Sequence, residues 1–449
     1  MTGENPHAAA GGPQFDPQAP HHQRPKLRQI RGFAAQANNS PALGLADARQ
    51  ISQRIVFTSP AAQHILPLMD GERSVDDIVA QIGRGLERRS VEMLVAQLDD
   101  AGLLHGPKFD ELWEEFTSSF DAAPNLPPSV TAAFADQLAK QELGEDATEE
   151  QIAELAPQKL RDAFDQFIEK ALENADNPSF DELPRAIIAP HLDYARGWNN
   201  YGAVWGRMRV VDRPDRVIIL GANHYGRSTG VCACDKGFET PLGVCEVDRD
   251  IVEKLRHRLG EALFEHRYDH EREHSVELQI AWIQHVLGAD ESGAYPKVFA
   301  ALIHDPAANN GESYDGQGVG LMPFVETMKR IIDELDGRTL IVSSADLSHV
   351  GPAFGDQRPL AGDDPEANQA RTRVISHDRE MLDLVRQKKA EELVAAMAWQ
   401  QNPTRWCSTG NLVATLKIVE PERVDVLSYA GAMDPQGAAL VTSAAAAMW

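Results

Sequence analysis

The stretch RVIILGANH, residues 216–224, decides the fold. Residues 217–220 are a short, wholly apolar run of the kind that forms a strand; Gly221 turns the chain, and a histidine follows. The pattern recurs. RAIIAPH carries a strand at 186–189 into His191, VFAALIH a strand at 298–303 into His304, and TLIVSSADLSH a strand at 340–343 into Asp346 and His349. A further strand is expected at 424–428. Helical patterns alternate with these runs near 201–207, 248–259, 275–287, 324–335, 377–385 and 412–419. Strands alternating with helices mark an α/β fold, a central sheet flanked by helices. Ligands of open α/β sheets bind at the carboxyl ends of the strands. Histidines recurring there should converge in space. One histidine after one strand is ordinarily a loop residue; four together argue for a site.

Two further elements join them. His274 lies just before Ser275, which reads as the N-cap of a helix. An imidazole at the positive end of a helix dipole is favoured in its neutral form, able to act as a base. Cys407 lies just before another helix start, and a thiolate is the form of cysteine that binds metal. Cys232 and Cys234 form a C-x-C on a strand and, without a second pair, read as structural.

The bulk properties exclude several function classes. A chain of 449 residues is long for one domain, so two or three folded units are expected. Its net charge of -25 argues against nucleic acid, which needs a basic footprint, and against an anionic membrane surface. There is no apolar run of bilayer length and no signal-peptide pattern at the N-terminus. Four cysteines in so long a chain are no disulfide framework, and a reducing cytoplasm is the expected location.

The 1–41 segment, rich in Ala, Gly, Pro, Gln and His, is expected to be a disordered tail, with His21 and His22 solvated in it. Residues 45–106 read as a small winged-helix-like domain: a strand or hairpin arm at 51–57, a short helix capped by Ser59, a second capped by Ser74, and a third from about Ser90 to Gly102. Residues 107–184 read as a helical connector, broken at 124–128 and resumed just after Pro157. Residues 185–449 carry the α/β pattern.

Within 45–106, LMDGERSVDDIVAQI and VEMLVAQLDDAGLL resemble the PqqD-like peptide chaperones, which bind a leader peptide along a strand edge. The ordered series IIAPHLDYARG, ILGANHYG, FETPLGVCEVD, EHSVELQ, SSADLSHVG and WCSTGN resembles the Memo family, whose bacterial members are labelled AmmeMemoRadiSam system protein B. This second resemblance covers most of 185–449. It implies the fold of class III extradiol dioxygenases, the LigB-like enzymes, and one divalent metal ion per chain. Iron is the metal expected, with copper or zinc as alternatives. Carried over residue by residue, the metal ligands would be His191, His224 and Cys407. His274, His349 and Asp346 would be catalytic, and Asp193, Tyr194 and Asn223 would line the pocket or support the ligands. Asp193 stands where animal Memo proteins have a small residue, and a role holding the tautomer of His191 is expected of it. The resemblance implies an iron-dependent oxidase or dioxygenase acting on a small-molecule or peptide substrate, with a radical-SAM enzyme as a partner. The alternatives are a noncatalytic metal- and peptide-binding protein and a zinc hydrolase.

Overall fold

The computed structural model describes residues 12–37, 40–83, 85–358 and 360–449. The chain divides after Ala123 into two compact units.

The first unit holds a three-stranded antiparallel sheet, β1 (Ile30–Ala37), β2 (Ser40–Asp47) and β3 (Val56–Thr58), in that order. Its helices are Val75–Ile82, Arg88–Asp100 and Pro107–Ala122. The first of these starts at a capping box: Ser74 Oγ accepts from Asp77 N at 3.2 Å, and Asp77 Oδ2 accepts from Ser74 N at 2.8 Å. Val75, Ile78, Val91, Leu94, Val95 and Leu98 line up at helical spacing and form the core.

Three expectations are corrected here. The 1–41 segment is not a disordered tail where it is described. Residues 12–29 include a helical turn, Pro20–Gln23, and β1 follows. A few anchors hold it: Phe15, Leu27 and Ile30 pack against the core, and the buried Arg28 guanidinium lies 3.1 Å from the Asp47 carboxylate. Bulk composition averages such anchors away. Residues 1–11 lie outside the described part. The arm expected at 51–57 shrinks to β3, because the Asp47 carboxylate accepts from the backbone of Arg49, Ile51 and Ser52 and curls that segment into a turn. The 107–184 connector is not one body: Pro107–Ala122 belongs to the first unit, while Val130–Leu143 and Glu149–Leu172 belong to the second. The last helix begins eight residues before Pro157, at a capping box of Thr148 and Gln151, and takes the proline into its interior.

The second unit adds β4 (Asn125–Leu126), β5 (Ala186–Ala189), β6 (Arg216–Ala222), β7 (Cys232–Ala233), β8 (Gly237–Thr240) and β9 (Gly243–Cys245). Then come β10 (Lys297–Ile303), β11 (Thr339–Ser344), β12 (Asp346–Val350), β13 (Val424–Met433) and β14 (Leu440–Met448). The main sheet runs β12-β14-β5-β11-β6-β10-β7, with β13 paired to β14. Strands β5, β11, β6 and β10 are parallel neighbours and buried along nearly their whole length, as sheets covered by helices on both faces require. The chain passes from β5 to β6 to β10 and then returns to insert β11 between β5 and β6. The carboxyl ends of β5, β11 and β6 therefore lie side by side at a change of strand order, where ligand crevices form. The expected α/β class and helix-flanked central sheet are both present.

Two strands of the main sheet escaped the sequence reading, as did β1 and β2 in the first unit and the short β4, β8 and β9. Strand β12 follows β11 after one residue. Strand β14, LVTSAAAAM, is alanine-rich and lacks strand propensity, yet every one of its residues is buried in the sheet. Among the described residues, no helix is long and apolar enough to cross a membrane.

Candidate metal centre

Three of the strand-end histidine positions meet a fourth imidazole at this crevice. His191 follows β5 and is 1% exposed. His224 follows β6. Its ring centroid lies 5.1 Å from that of His191. His274 opens the helix His274–Trp282, with its ring 4.7 Å from His224 and 5.5 Å from His191. One ligand nitrogen from each of the three lies within 4.8 Å of the others. The Cys407 Sγ is 3.3 Å from His191 Nε2. Asp346 Oδ2 is 3.8 Å from the same nitrogen. His191 forms the floor, while His224, His274, His349 and Cys407 are half-buried and face outward.

Local chemistry explains the convergence. The helix carrying His274 packs against the end of β6 because residue 221 is glycine: a Cβ there would lie 2.6 Å from Ser275 Oγ. Ser275 Oγ bonds back to Ala222, accepting from its N at 3.0 Å and donating to its O at 3.1 Å. The helix N-cap is Glu273, whose side chain accepts from Ser275 N, and not Ser275 as expected. In the first turn of this helix Glu277 supports the N-terminus of the helix Val130–Leu143, accepting from Ser129 N at 2.9 Å and Thr131 N at 2.8 Å. The second glutamate of EHSVELQ thus serves the fold.

The hydrogen bonds set the tautomers. His191 Nδ1 donates to Ser344 O at 3.1 Å. His224 Nδ1 donates to Glu273 Oε1 at 2.9 Å. His349 Nδ1 donates to Leu347 O at 2.9 Å. In His191 and His349 Nε2 is left with its lone pair, as a ligand or a base needs. Burial would lower His224 too, but the Glu273 carboxylate and its hydrogen bonds outweigh it and hold the ring well above the ordinary histidine value, so its Nε2 gives up a proton on binding an ion. Outer partners that fix the ring in this way are the usual support of metal-binding histidines. Burial, reinforced by the neighbouring His224 and His274 rings, holds His191 well below the ordinary histidine value, and thus neutral. Burial also lowers His274, to about 4, against the opposing pull of Glu273. Burial would raise Glu273, but the His224 charge and hydrogen bonds outweigh it and keep the carboxylate ionised. Burial pushes Asp346 up to about 7, although it accepts from His191 N at 3.1 Å.

The donor set fits a metal ion: three imidazoles meet, one sulfur lies against His191 Nε2, and this mixture suits Fe(II), Cu or Zn. The same check rejects another cluster. His21 and His22 in the first unit both approach Asp99, at 3.3 and 3.1 Å. There His22 Nδ1 accepts from Asp16 N at 2.8 Å, so Nε2 carries the proton and is spent on Asp99. His22 is a buried hydrogen-bond link, neither solvated as expected nor a metal ligand.

Other expected residues fall elsewhere. His304 is buried and its Nε2 donates to Gly311 O and Glu312 O, both at 3.1 Å. It follows β10, one strand too far out to reach the cluster. Asp193 does not hold His191; it caps the helix Tyr194–Trp205, accepting from Arg196 N at 3.1 Å. Tyr194 points into the core, where its hydroxyl meets Thr131 Oγ1 at 3.0 Å and donates to Leu278 O at 3.1 Å. Asn223 shapes the loop after β6, donating to Asp269 Oδ2 at 2.9 Å and accepting from Gly226 N at 2.7 Å. The sequence reading missed Glu273 and Ser344. Glu273 adjoins His274 in EHS, and an acidic neighbour of a candidate ligand is the signal that could have found it.

Comparison with known proteins follows this geometry. The family model described as "Memo-like protein" matches residues 152–448. A MEMO1 family protein of Aquifex aeolicus is 26% identical over 362 residues, covering 79% of this chain and 81% of that protein. One of Thermus thermophilus is 26% identical over 260 residues, covering 57% of this chain and 69% of its own. One of Methanopyrus kandleri is 28% identical over 200 residues, covering 44% and 65%. The Aquifex alignment is longer than the stretch the family model matches, so likeness extends beyond that stretch. With a match that spans more than half the chain and contains all of the clustered histidines and Cys407, this chain belongs to the Memo-like protein family.

Proposed function

We propose that the protein is a mononuclear, metal-dependent enzyme of the oxidase or dioxygenase type, using iron and acting on a small or peptide-borne substrate. One observation carries this reading: three imidazoles and a thiol meet at the carboxyl ends of adjacent parallel strands, with the Nδ1 atoms of His191 and His224 already committed to oxygen acceptors. His191, His224 and Cys407 would hold the ion, with His274 within reach as a further ligand. When bound, iron would supply the redox chemistry and the activation of dioxygen that imidazoles and a thiol lack.

The chain's own groups supply proton handling. Asp346, pushed up to about 7 by burial, exchanges a proton near neutrality. His349 presents a neutral Nε2 on the same side, its ordinary value lowered by burial. A pocket that only binds would have no use for these two groups beside a full ligand set, and this favours catalysis over a binding role. The first unit favours a peptide-borne substrate: β3 lies at a sheet edge, with Phe57 within it 50% exposed and Ile55 just before it 48% exposed. An edge strand with apolar flanks can accept an extended peptide. We place the protein in a reducing compartment, which suits four free cysteines.

The test is the metal content of protein purified without oxygen, for the wild type and for His191→Ala, His224→Ala, Cys407→Ala and His274→Ala. About one iron per chain, lost or sharply reduced in the first three, supports the reading. Zinc at that stoichiometry moves the assignment to a hydrolase with a metal-bound water. No metal in well-folded protein overturns it and favours a noncatalytic peptide-binding role.

A further inference from the structure

We propose that Asp378, in the helix Pro365–Arg386, is a positioning residue for the metal centre, fixing through Trp406 and Ser348 the two segments that carry Cys407 and His349. The inference rests on the metal reading above.

Asp378 is fully buried, and its carboxylate accepts from four neutral donors on four different segments. Oδ1 takes Trp406 Nε1 at 2.7 Å and the Ser348 hydroxyl. Oδ2 takes the Tyr429 hydroxyl at 2.7 Å and the Thr442 hydroxyl at 2.6 Å. Trp406 Nε1 also lies 3.2 Å from Ser348 Oγ, which closes a triangle on the Oδ1 side. Trp406 directly precedes Cys407, and Ser348 directly precedes His349.

A buried carboxylate is a costly way to fill space, since an apolar side chain of similar volume would avoid the desolvation. Its place therefore calls for a geometric reason, and the surrounding backbone supplies one. The pairing of β12 with β14 is irregular between Asp346 and His349, so the strand ladder does not hold Leu347 and Ser348 in register. The 402–407 loop contains Arg405 at φ 59°, a left-handed conformation that a non-glycine residue keeps only when its surroundings hold it. Loop and strand are stitched together. His349 N donates to Thr404 O, and Arg405 Nε donates to His349 O, each at 2.7 Å. Asn402 brackets Trp406 through its backbone N and O, both at 2.8 Å. Asp378 gives this stitched unit its fixed point in the core.

The experiment compares wild type, Asp378→Asn, Trp406→Phe and Tyr429→Phe, each metal-free and then titrated with Co(II) under nitrogen. The thiolate-to-cobalt charge-transfer band reports how Cys407 meets the ion. Asp378→Asn and Trp406→Phe are expected to shift or weaken that band and to lower cobalt affinity about 10- to 100-fold. Tyr429→Phe, on the Oδ2 side, keeps the band. A folded Asp378→Asn with the wild-type band and affinity overturns the inference; if that variant does not fold, Trp406→Phe decides it by the same criterion. No cobalt uptake by the wild type defeats the metal reading instead. The positioning role is then decided by the rate at which iodoacetamide alkylates Cys407, and equal rates in wild type and Asp378→Asn overturn it.

Discussion

Glu273 holds His224 twice, accepting from its backbone N at 2.8 Å and from Nδ1 at 2.9 Å, while the same carboxylate lies 3.4 Å from His274 Nδ1. One buried anion thus orients two rings. The glutamine variant keeps the shape and one acceptor but removes the charge that would make His224 a strong donor ligand under the proposed metal reading. Glu273→Gln should remain folded and lose about 10- to 100-fold in metal affinity. Titrating metal-free protein with Fe(II) under nitrogen measures this, and wild-type affinity in the variant would exclude the role.

The second histidine cluster predicts the opposite behaviour. Since His22 spends both ring nitrogens on protein partners, His22→Ala should leave the metal stoichiometry unchanged. It should destabilise the first unit by about 1–3 kcal/mol, the cost of stranding buried partners such as the Asp16 amide. Urea unfolding and metal analysis of the same preparation test both halves. A drop in bound metal would show that the cluster is a ligand set after all.

Much of this architecture is legible in the sequence, and the failures have physical causes. The strand at Ala186–Ala189 is found to the residue, because a parallel strand covered on both faces reads as an unbroken apolar run. Strand β14 is missed because alanine favours helices, and only its position between β5 and β13 makes it extended. Motif placement brings His191, His224, His274 and Cys407 to one end of the sheet, but it also includes His304, since strand order cannot be read from strand sequence. Asp193 and Tyr194 are misplaced for a related reason. They adjoin His191 in the chain, yet the helix beginning at Tyr194 turns them away: Asp193 becomes a cap, and Tyr194 enters the core.

That core tests the boundary of the Memo-like domain. Phe164, on the helix Glu149–Leu172, is fully buried and stacks on Trp282 with centroids 3.9 Å apart and planes 9° from parallel. Trp282 ends the helix that His274 begins. The helix before residue 185 is therefore part of the domain's core and not a separate connector. Phe164→Ala should cost about 3–5 kcal/mol. A loss well under 1 kcal/mol in denaturant unfolding would mean that this helix packs only loosely on the domain.

The buried ion pair of the first unit carries another expectation. The Arg28 side chain is 4% exposed and that of Asp47 0%. Removing the cation leaves a desolvated carboxylate with only backbone donors, so Arg28→Ala should destabilise the first unit by about 3–5 kcal/mol. Replacing the pair together, as Arg28→Met with Asp47→Asn, should recover part of that loss. A double variant no better than the single would place the stability in the backbone turn at 47–52 and not in the charge pair.

The four cysteines separate by environment, and their chemistry should follow. Cys232, Cys234 and Cys245 are buried, and burial raises all three thiols, Cys234 and Cys245 to about 12. Alkylation proceeds through the thiolate, so these three are protected twice, by access and by ionisation. Cys407 is half-buried at the mouth of the histidine cluster. Iodoacetamide at mildly alkaline pH should therefore modify one thiol per chain in the native, metal-free protein, none in Cys407→Ala, and all four after unfolding. Metal added first should slow the native reaction, because a sulfur that ligates an ion is no longer a free nucleophile. Alkylation of Cys407 at an equal rate with and without metal would remove the thiol from the ligand set and leave the three imidazoles alone to hold the ion.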